Sequence, residues 1–507
     1  MSGKFRNARL LSLSQISASS NGLPVNRRMV TLFAVAVFAT FVLMFVHSLG
    51  PNKVQSFYSW SSPDPHGVAR ESLPQAVIGN PDLFNPDYPE GIEDVFLMVK
   101  TGATVLWKRL PIHFQTTFKQ VPFFQVYSDM AETIANHQVV DALQNVSAAL
   151  KSTDDFELWR IQQEMLEHHS NVLPQDHWGI AKNKKGWELD KYKNLPMLQH
   201  AWSVNPNAKW YIFMDADSYI LWTPLMAWLK TLNYRHALYM GSPVGNPPIR
   251  FGHGGSGVVI SRGTMLRTFG QDPDLYKRWD KETIRDCCGD HMVARAFYKL
   301  GVKIAEGDGV YPYAKWKFQG EPEWLVFGNQ DNWCSPIMSF HHISPQDIQK
   351  IYEFEQEFKA THHKDEYIRY VDVYHKFMHA WLEDEKQDWD NRSNDREYSA
   401  TKPKAFRDDA YESLEKCRAK CDEWDECVGY RYNIGFCGLS RSVRLGRRVI
   451  RWEDDLFDDS KLWISGWKLD RIRAMRAASG CDPLAADEPQ SLDESQIVPG
   501  LEVPPED

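Results

Sequence analysis

The first 28 residues contain no Asp or Glu, and no Lys or Arg follows Arg476. The chain as a whole has no excess of positive charge. Its 58 Lys and Arg stand against 67 Asp and Glu, a formal net charge of −9. That balance excludes the basic footprint of a nucleic-acid partner. No segment repeats internally, which argues against a solenoid or propeller. Cysteine is sparse, with 8 in 507 residues, and four of them cluster late in the chain.

What is present starts with one uncharged run. Residues 29–46, MVTLFAVAVFATFVLMFV, hold only two Thr among apolar side chains. Helical residues rise about 1.5 Å each, so this run nearly spans a bilayer core. Lys4, Arg6, Arg9, Arg27 and Arg28 precede it, a bias that keeps residues 1–28 in the cytosol and sends the rest across. A signal anchor over 29–49 is therefore expected, with the rest of the chain lumenal and a Golgi membrane as its location. Ser48 and Gly50 leave cleavage as a signal peptide open. The triplets Asn145-Val-Ser and Asn391-Arg-Ser are acceptor patterns for N-glycosylation in such a compartment. Residues 50–90 are rich in Pro and polar residues and read as a stem.

Ordered structure is expected from Val95. Asp94–Lys100, Val121–Ser128, Trp210–Met214, His236–Met240 and Gly257–Ser261 read as strands. Between them, 104–119 (interrupted at Pro111), 154–170, 188–203, 224–232 and 289–300 read as helices. The alternation predicts an α/β domain over 91–380 with a largely parallel, Rossmann-like sheet. Ligands then sit at the carboxyl ends of the strands.

Asp215-Ala216-Asp217 ends a strongly apolar strand. Residues i and i+2 of a strand face the same way, so the two carboxylates converge. Hard cations such as Mn²⁺ or Mg²⁺ favour oxygen ligands of this kind and leave room for phosphate oxygens. An isolated Asp-x-Asp is weak evidence, because Asp is common at strand ends and in turns.

The surroundings are more specific. Gly186-Trp-Glu-Leu-Asp-Lys-Tyr-Lys-Asn-Leu-Pro-Met197, then Asn205-Pro-Asn-Ala-Lys-Trp-Tyr-Ile-Phe-Met-Asp-Ala-Asp217, resembles glycosyltransferase family 31, which includes the Fringe and core 1 β-1,3-galactosyltransferase enzymes. Fungal members are the nearest in pattern. Lys100-Thr-Gly-Ala-Thr104, Leu110-Pro-Ile-His113 and Phe251-Gly-His-Gly-Gly-Ser-Gly-Val-Val-Ile-Ser-Arg262 extend the resemblance to about residues 92–345. It implies a GT-A fold, a UDP-sugar donor, a divalent metal and inversion at the anomeric carbon, with a β-1,3 linkage of galactosyl or N-acetylglucosaminyl type.

The same resemblance assigns roles. Asp215 and Asp217 match the metal and nucleotide motif, with Asp217 the more direct ligand. Lys193 stands where relatives carry a Lys near the nucleotide, with Asp190 beside it; a solvated helix face is the alternative for Lys193. Inversion needs a general base, which the family places in an acidic pair opening a helix. Asp290 fits the second position of that pair, Gly289 replaces the first, and Asp286 is the fallback. An N-cap role is the plain alternative for Asp290. A His near Ser339-Phe-His341-His342 completes the metal site in the family; His341 is the first choice and His342 the second. Gly254, Gly255 and Gly257 let backbone approach the donor, while His253 receives no role. Trp316, Trp324 and Trp333 are candidates for an acceptor platform, or for core packing.

Cys287 and Cys288 are adjacent and are not expected to pair with each other; one of them is a candidate partner for Cys334, and Cys481 has no evident partner. Residues 381–405 read as a polar linker or a solvated helix. Residues 406–470 carry Cys417, Cys421, Cys427 and Cys437, spaced for disulfides rather than zinc in an oxidising compartment. This segment is similar to PAN/apple modules. Residues 471–507 read as a mostly disordered acidic tail. The expected protein is thus a type II membrane glycosyltransferase with a UDP-sugar donor, a glycan or glycoprotein acceptor and room for a homodimer. A retaining GT-A enzyme and a non-catalytic lumenal binding or chaperone protein on the same fold are the alternatives.

Overall fold

The computed structural model describes residues 88–167, 185–305, 332–401, 408–451 and 458–482, and the backbone of 317–318 and 326–327. The expected anchor at 29–49, the stem up to residue 87 and the tail beyond Asp482 lie outside the described residues. Among the described residues no helix is long and apolar enough to cross a membrane.

Seven strands form the main sheet: β1 (Val95–Lys100), β2 (Phe124–Ser128), β3 (Glu132–Ile134), β4 (His137–Asp141), β5 (Trp210–Asp215), β6 (Tyr239–Gly241) and β7 (Val258–Ser261). Their order is β3-β4-β2-β1-β5-β7-β6. The central strands β4, β2, β1 and β5 are parallel, and the outer pairings are antiparallel. β1 and β5 are apolar up to their last residues, Lys100 and Asp215, because both faces of the sheet are covered. Phe96 and Met98 of β1 enter one core with Tyr211 and Phe213, whereas Val95, Leu97 and Val99 enter the other with Ile212 and Met214. The first core is covered by α3 (Asn194–Val204) and α5 (Gly289–Lys299), through residues such as Leu198, Met292 and Phe297. α1 (Ala103–Arg109) and α4 (Trp222–Leu229) cover the second, through Leu106, Leu225 and Trp228. α2 (Glu157–Glu167) precedes α3 in the chain, and α6 (Pro345–Thr361) follows α5. Each fully buried aliphatic or Phe side chain there contributes roughly 1.5–3 kcal/mol.

After Asp217 the chain forms a short strand, Tyr219–Ile220, which pairs antiparallel with β8 (Ile337–Phe340). Tyr219 lies opposite Phe340 in that pairing, so the residues that follow β8 return to the end of β5.

The stretch expected to be a polar linker is structured. β9 (Lys386–Gln387) and β10 (Arg396–Ser399) are the two edges of a five-stranded sheet with β11 (Gly429–Asn433), β12 (Phe436–Ser440) and β13 (Ile464–Trp467). Its charges have partners that a local reading does not show. Arg431 reaches both oxygens of Asp390 at 2.9 and 3.1 Å, and Arg444 reaches Asp395 at 2.8 Å. Asn391 is buried and its amide donates to the carbonyl of Tyr430 at 3.0 Å, so in this fold it is not a glycan acceptor. Asn145 is exposed. α7 (Leu414–Asp422) packs on this sheet, with disulfides Cys417–Cys437 and Cys421–Cys427. Those bonds remove the zinc alternative. α8 (Leu469–Ser479) runs into the segment expected to be disordered and stops at Gly480, whose φ of +72° suits glycine.

The C-terminal sheet shares a core with the residues around β8. Trp333, Ile337 and Phe340 pack in one cluster with Val428, Val443, Trp467 and Ile472. Cys334 is bonded to Cys481 across 147 residues, and Cys287 to Cys288. Both pairings correct the expectation. Cys334 finds its partner at the end of α8, which leaves the adjacent cysteines to each other.

Candidate active site

A cleft of about 670 Å³ opens at the carboxyl ends of β1 and β5. Asp215 is the last residue of β5 and lies in register with Lys100, the last of β1. Lys100 is buried and pairs with Asp190 and with Asp215, the latter at 3.2 Å. Burial alone would lower the pKa of this ammonium, but the two carboxylates outweigh it and hold it above the ordinary lysine value.

Asp217 is two residues on, and its carboxylate is buried. The backbone of Asp-x-Asp is held from behind by His113, whose Nε2 donates to the carbonyl of Ala216 at 2.9 Å. Burial pushes the His113 imidazole down to about 4, so it is neutral at physiological pH. Asp217 Oδ1 lies 3.6 Å from Nε2 of His341, and Oδ2 lies 3.8 Å from Nδ1 of His342. The amide of Ile343 donates to the Asp217 carbonyl at 3.1 Å, which fixes the histidine segment against the motif. His342 has φ +54°, a left-handed conformation that turns its ring back towards Asp217. Burial would raise the Asp217 pKa, but Arg109 and the two histidines hold it below the usual carboxylate range. Burial also lowers the pKa of His341, against the pull of Asp217, which favours a neutral ring able to ligate.

These groups fit a divalent cation. The ligand atoms of Asp217, His341 and His342 lie within 4.8 Å of one another; an ion at roughly 2.0–2.2 Å from each ligand spans up to about 4.4 Å, so small side-chain rotations close the group around it. Oδ1 of Asp217 is buried and accepts no hydrogen bond, so it has lone pairs to offer. Asp215 is directed to Lys100 rather than into the histidine cluster.

Asp290 is the second residue of α5, and Cys288 occupies the N-cap position. The amide of Gly254 donates to Oδ2 of Asp290 at 3.0 Å, which joins the glycine segment to the candidate base. Burial holds the Asp290 carboxyl above the usual carboxylate range, although Gly254, Lys100 and His253 oppose it. Asp286 is different. His291 and Arg295 take its two oxygens at 2.8 and 2.7 Å and hold it ionised, and it does not line the cleft. The fallback base is therefore a structural anchor for α5.

Gly289, at the first position of the acidic pair that the resemblance implies, is enclosed. A Cβ there would lie 2.8 Å from Cγ of Asn194 and 3.0 Å from the Lys191 carbonyl. The departure follows from close packing of α5 on the turn before α3. Lys193 is buried rather than solvated; Nζ donates to the Thr101 carbonyl at 2.8 Å and lies 3.5 Å from Asp190. Gly255 leaves the space that His341 fills, and Gly257 has φ +93°.

Three cleft residues were not found from the sequence. Arg109 ends α1 with Nη1 at 3.0 Å from Asp217. His253 lies with its ring 5.1 Å from that of His341. Trp187, 62% exposed, lines the cleft. Of these, Trp187 and His253 lie within the Gly186–Met197 and Phe251–Arg262 stretches, whereas the place of Arg109 depends on a long-range contact. Trp333 is buried against Tyr374 and belongs to the core, while Trp316 and Trp324 lie outside the described residues.

Residues 91–308 match the Fringe family model, described as Fringe-like. The match, together with a mixed α/β fold whose central strands are parallel, supports a glycosyltransferase of the family 31 kind. No curated protein matches the chain.

Proposed function

We propose that the protein is an inverting glycosyltransferase that takes a UDP-sugar and forms a β-1,3 bond to a glycan or glycoprotein hydroxyl. The observation that supports this best is the convergence of Asp217, His341 and His342 with Asp290 on one cleft at the ends of β1 and β5. Asp217 with His341 and His342 would hold Mn²⁺ or Mg²⁺, and Asp215 would join the nucleotide side. A bound cation neutralises the charge that the nucleoside diphosphate gains as it leaves. Lys193 and Asp190 shape the floor under the nucleotide, and Gly254, Gly255 and Gly257 let the backbone close on the donor. Asp290 takes the proton of the acceptor hydroxyl at its carboxylate, and its raised pKa makes it the stronger base for that step. The charge bias of residues 1–28 and the apolar run after them support a type II anchor in the Golgi membrane, with this cleft in the lumen.

The close packing around Gly289 gives a steric reason for the one sequence feature that favoured a non-catalytic protein, and so supports the catalytic reading. The test is hydrolysis of a panel of UDP-sugars by the protein with Mn²⁺ and with chelator, alongside calorimetry of UDP binding. Metal-dependent cleavage of one donor, lost in Asp217→Ala, is the expected result. Absence of both cleavage and metal-dependent UDP binding would overturn the reading.

A further inference from the structure

Four cations line the cleft, Lys100, Arg109, Lys191 and Lys193, against an equal number of carboxylates. Without a metal, the lining therefore offers a polyanion no net attraction. Three of the four are also committed. Lys100 and Lys193 are buried, with side chains 6% and 1% exposed, and each is bound to Asp190. Lys191 is 11% exposed; it lies 2.9 Å from Asp155 and donates to the Ile284 carbonyl at 3.2 Å.

Arg109 differs from all of these. Its side chain is 40% exposed, and its ion pair is with Asp217, Nη1 to Oδ2 at 3.0 Å. Oδ2 is also the oxygen that faces His342, at 3.8 Å. A divalent cation between Asp217 and His342 would sit beside the guanidinium, and the two positive charges repel. Arg109 lies at the end of its helix, on a long side chain that reaches the cleft, so it can turn without moving the backbone.

We infer that Arg109 is a diphosphate ligand which Asp217 holds in reserve until a divalent cation displaces it. This rests on the nucleotide-sugar reading of the same cleft. Before the metal binds, the guanidinium neutralises a buried carboxylate whose other neighbours are histidines. Once the cation takes over that task, the planar fork of Arg109 is freed beside the phosphates, where it matches paired oxygens. The cleft then gains the metal's charge and a released arginine together. Metal binding and diphosphate binding become coupled through one side chain, and each favours the other.

The experiment is calorimetry on the full chain in detergent, with three probes: Mn²⁺ alone, UDP with saturating Mn²⁺, and UMP with saturating Mn²⁺. Arg109→Ala and Arg109→Lys are compared with the wild type. In Arg109→Ala, Mn²⁺ alone should bind as well as in the wild type or more tightly, because a competing cation is gone. UDP affinity should fall about tenfold or more, the loss expected for a charged hydrogen bond, and UMP affinity should fall less. Arg109→Lys should recover part of the UDP affinity. Unchanged UDP affinity in Arg109→Ala would overturn the inference. So would a parallel loss of Mn²⁺ binding, which would make Arg109 only a prop for Asp217. A wild type that fails to bind UDP with Mn²⁺ would instead remove the nucleotide-sugar reading, and the inference with it.

Discussion

A Cβ on Gly255 would lie 2.0 Å from Nε2 of His341, so the glycine's missing side chain is the space that the histidine ring fills. The ring could not reach Asp217 if residue 255 had any side chain at all. Ser218 locks the arrangement from the other side, as its Oγ donates to the Gly255 carbonyl at 2.5 Å. Gly255→Ala should therefore expel the imidazole from the cluster and weaken Mn²⁺ binding by roughly 10–100-fold, the range for losing an orienting contact at a metal site. Titration of Mn²⁺ into the variant, followed by electron paramagnetic resonance, checks this. Wild-type affinity in Gly255→Ala would show that His341 is not a ligand.

Gly289 raises the question of whether an acid can be accommodated at this position. The contacts at 2.8 and 3.0 Å come from Asn194 and a backbone carbonyl, and the latter cannot rotate away. Gly289→Asp should lift the start of α5, move Asp290 away from Gly254 and lower transfer at least tenfold. Overpacking of this kind costs about 1–3 kcal/mol, readable as a lower denaturant midpoint. A Gly289→Asp protein with full activity and stability would mean that α5 is free to shift.

Much of the fold was legible because it depends on local pattern. β1 and β5 are unbroken apolar runs ended by polar residues, and the glycine segment and α5 follow from their own residues. The hairpin β3–β4 was missed. Its turn is Ala135-Asn136, both at positive φ, and Ala at such a position gives no turn signal. Residues 386–399 were misread because their charges have partners tens of residues away, such as Asp390 with Arg431. The candidate site divides in the same way. Asp217 and Asp290 were visible in motifs, whereas the place of Arg109 and the Cys334–Cys481 bond are properties of the folded chain.

Asp290 ties the pH dependence of transfer to stability with opposite signs. Its pKa is raised on folding, chiefly by burial. Its contribution to stability is therefore complete below the ordinary aspartate pKa and is lost as pH rises through the raised value. Catalysis needs the opposite form. The acidic limb of kcat/KM should lie above the ordinary aspartate range, with transfer rising as the carboxyl ionises. Asp290→Asn keeps an oxygen for the Gly254 amide and removes the charge. It should be at least as stable as the wild type at neutral pH, bind UDP normally and lose roughly 10²–10⁴-fold in transfer. A pH–rate profile with thermal melts of both proteins tests this; transfer at the wild-type rate would exclude Asp290 as the base.

The C-terminal sheet is joined to the metal segment rather than tethered beside it. Val326–Phe327 pairs antiparallel with Val443–Arg444, and Cys334–Cys481 ties α8 to the residues just before β8, which ends one residue before His341. Cys417–Cys437 lies instead between α7 and β12, within the C-terminal unit. The two bonds should therefore behave differently. Replacing both Cys334 and Cys481 with Ser should lower stability by about 2–5 kcal/mol, as expected for a bond closing a long loop, and should weaken Mn²⁺ binding because β8 loses its anchor. Replacing Cys417 and Cys437 with Ser should lower the melting temperature and leave Mn²⁺ affinity unchanged in the protein that remains folded. Equal metal affinity in both variants would show that the sheet stabilises the chain without positioning His341.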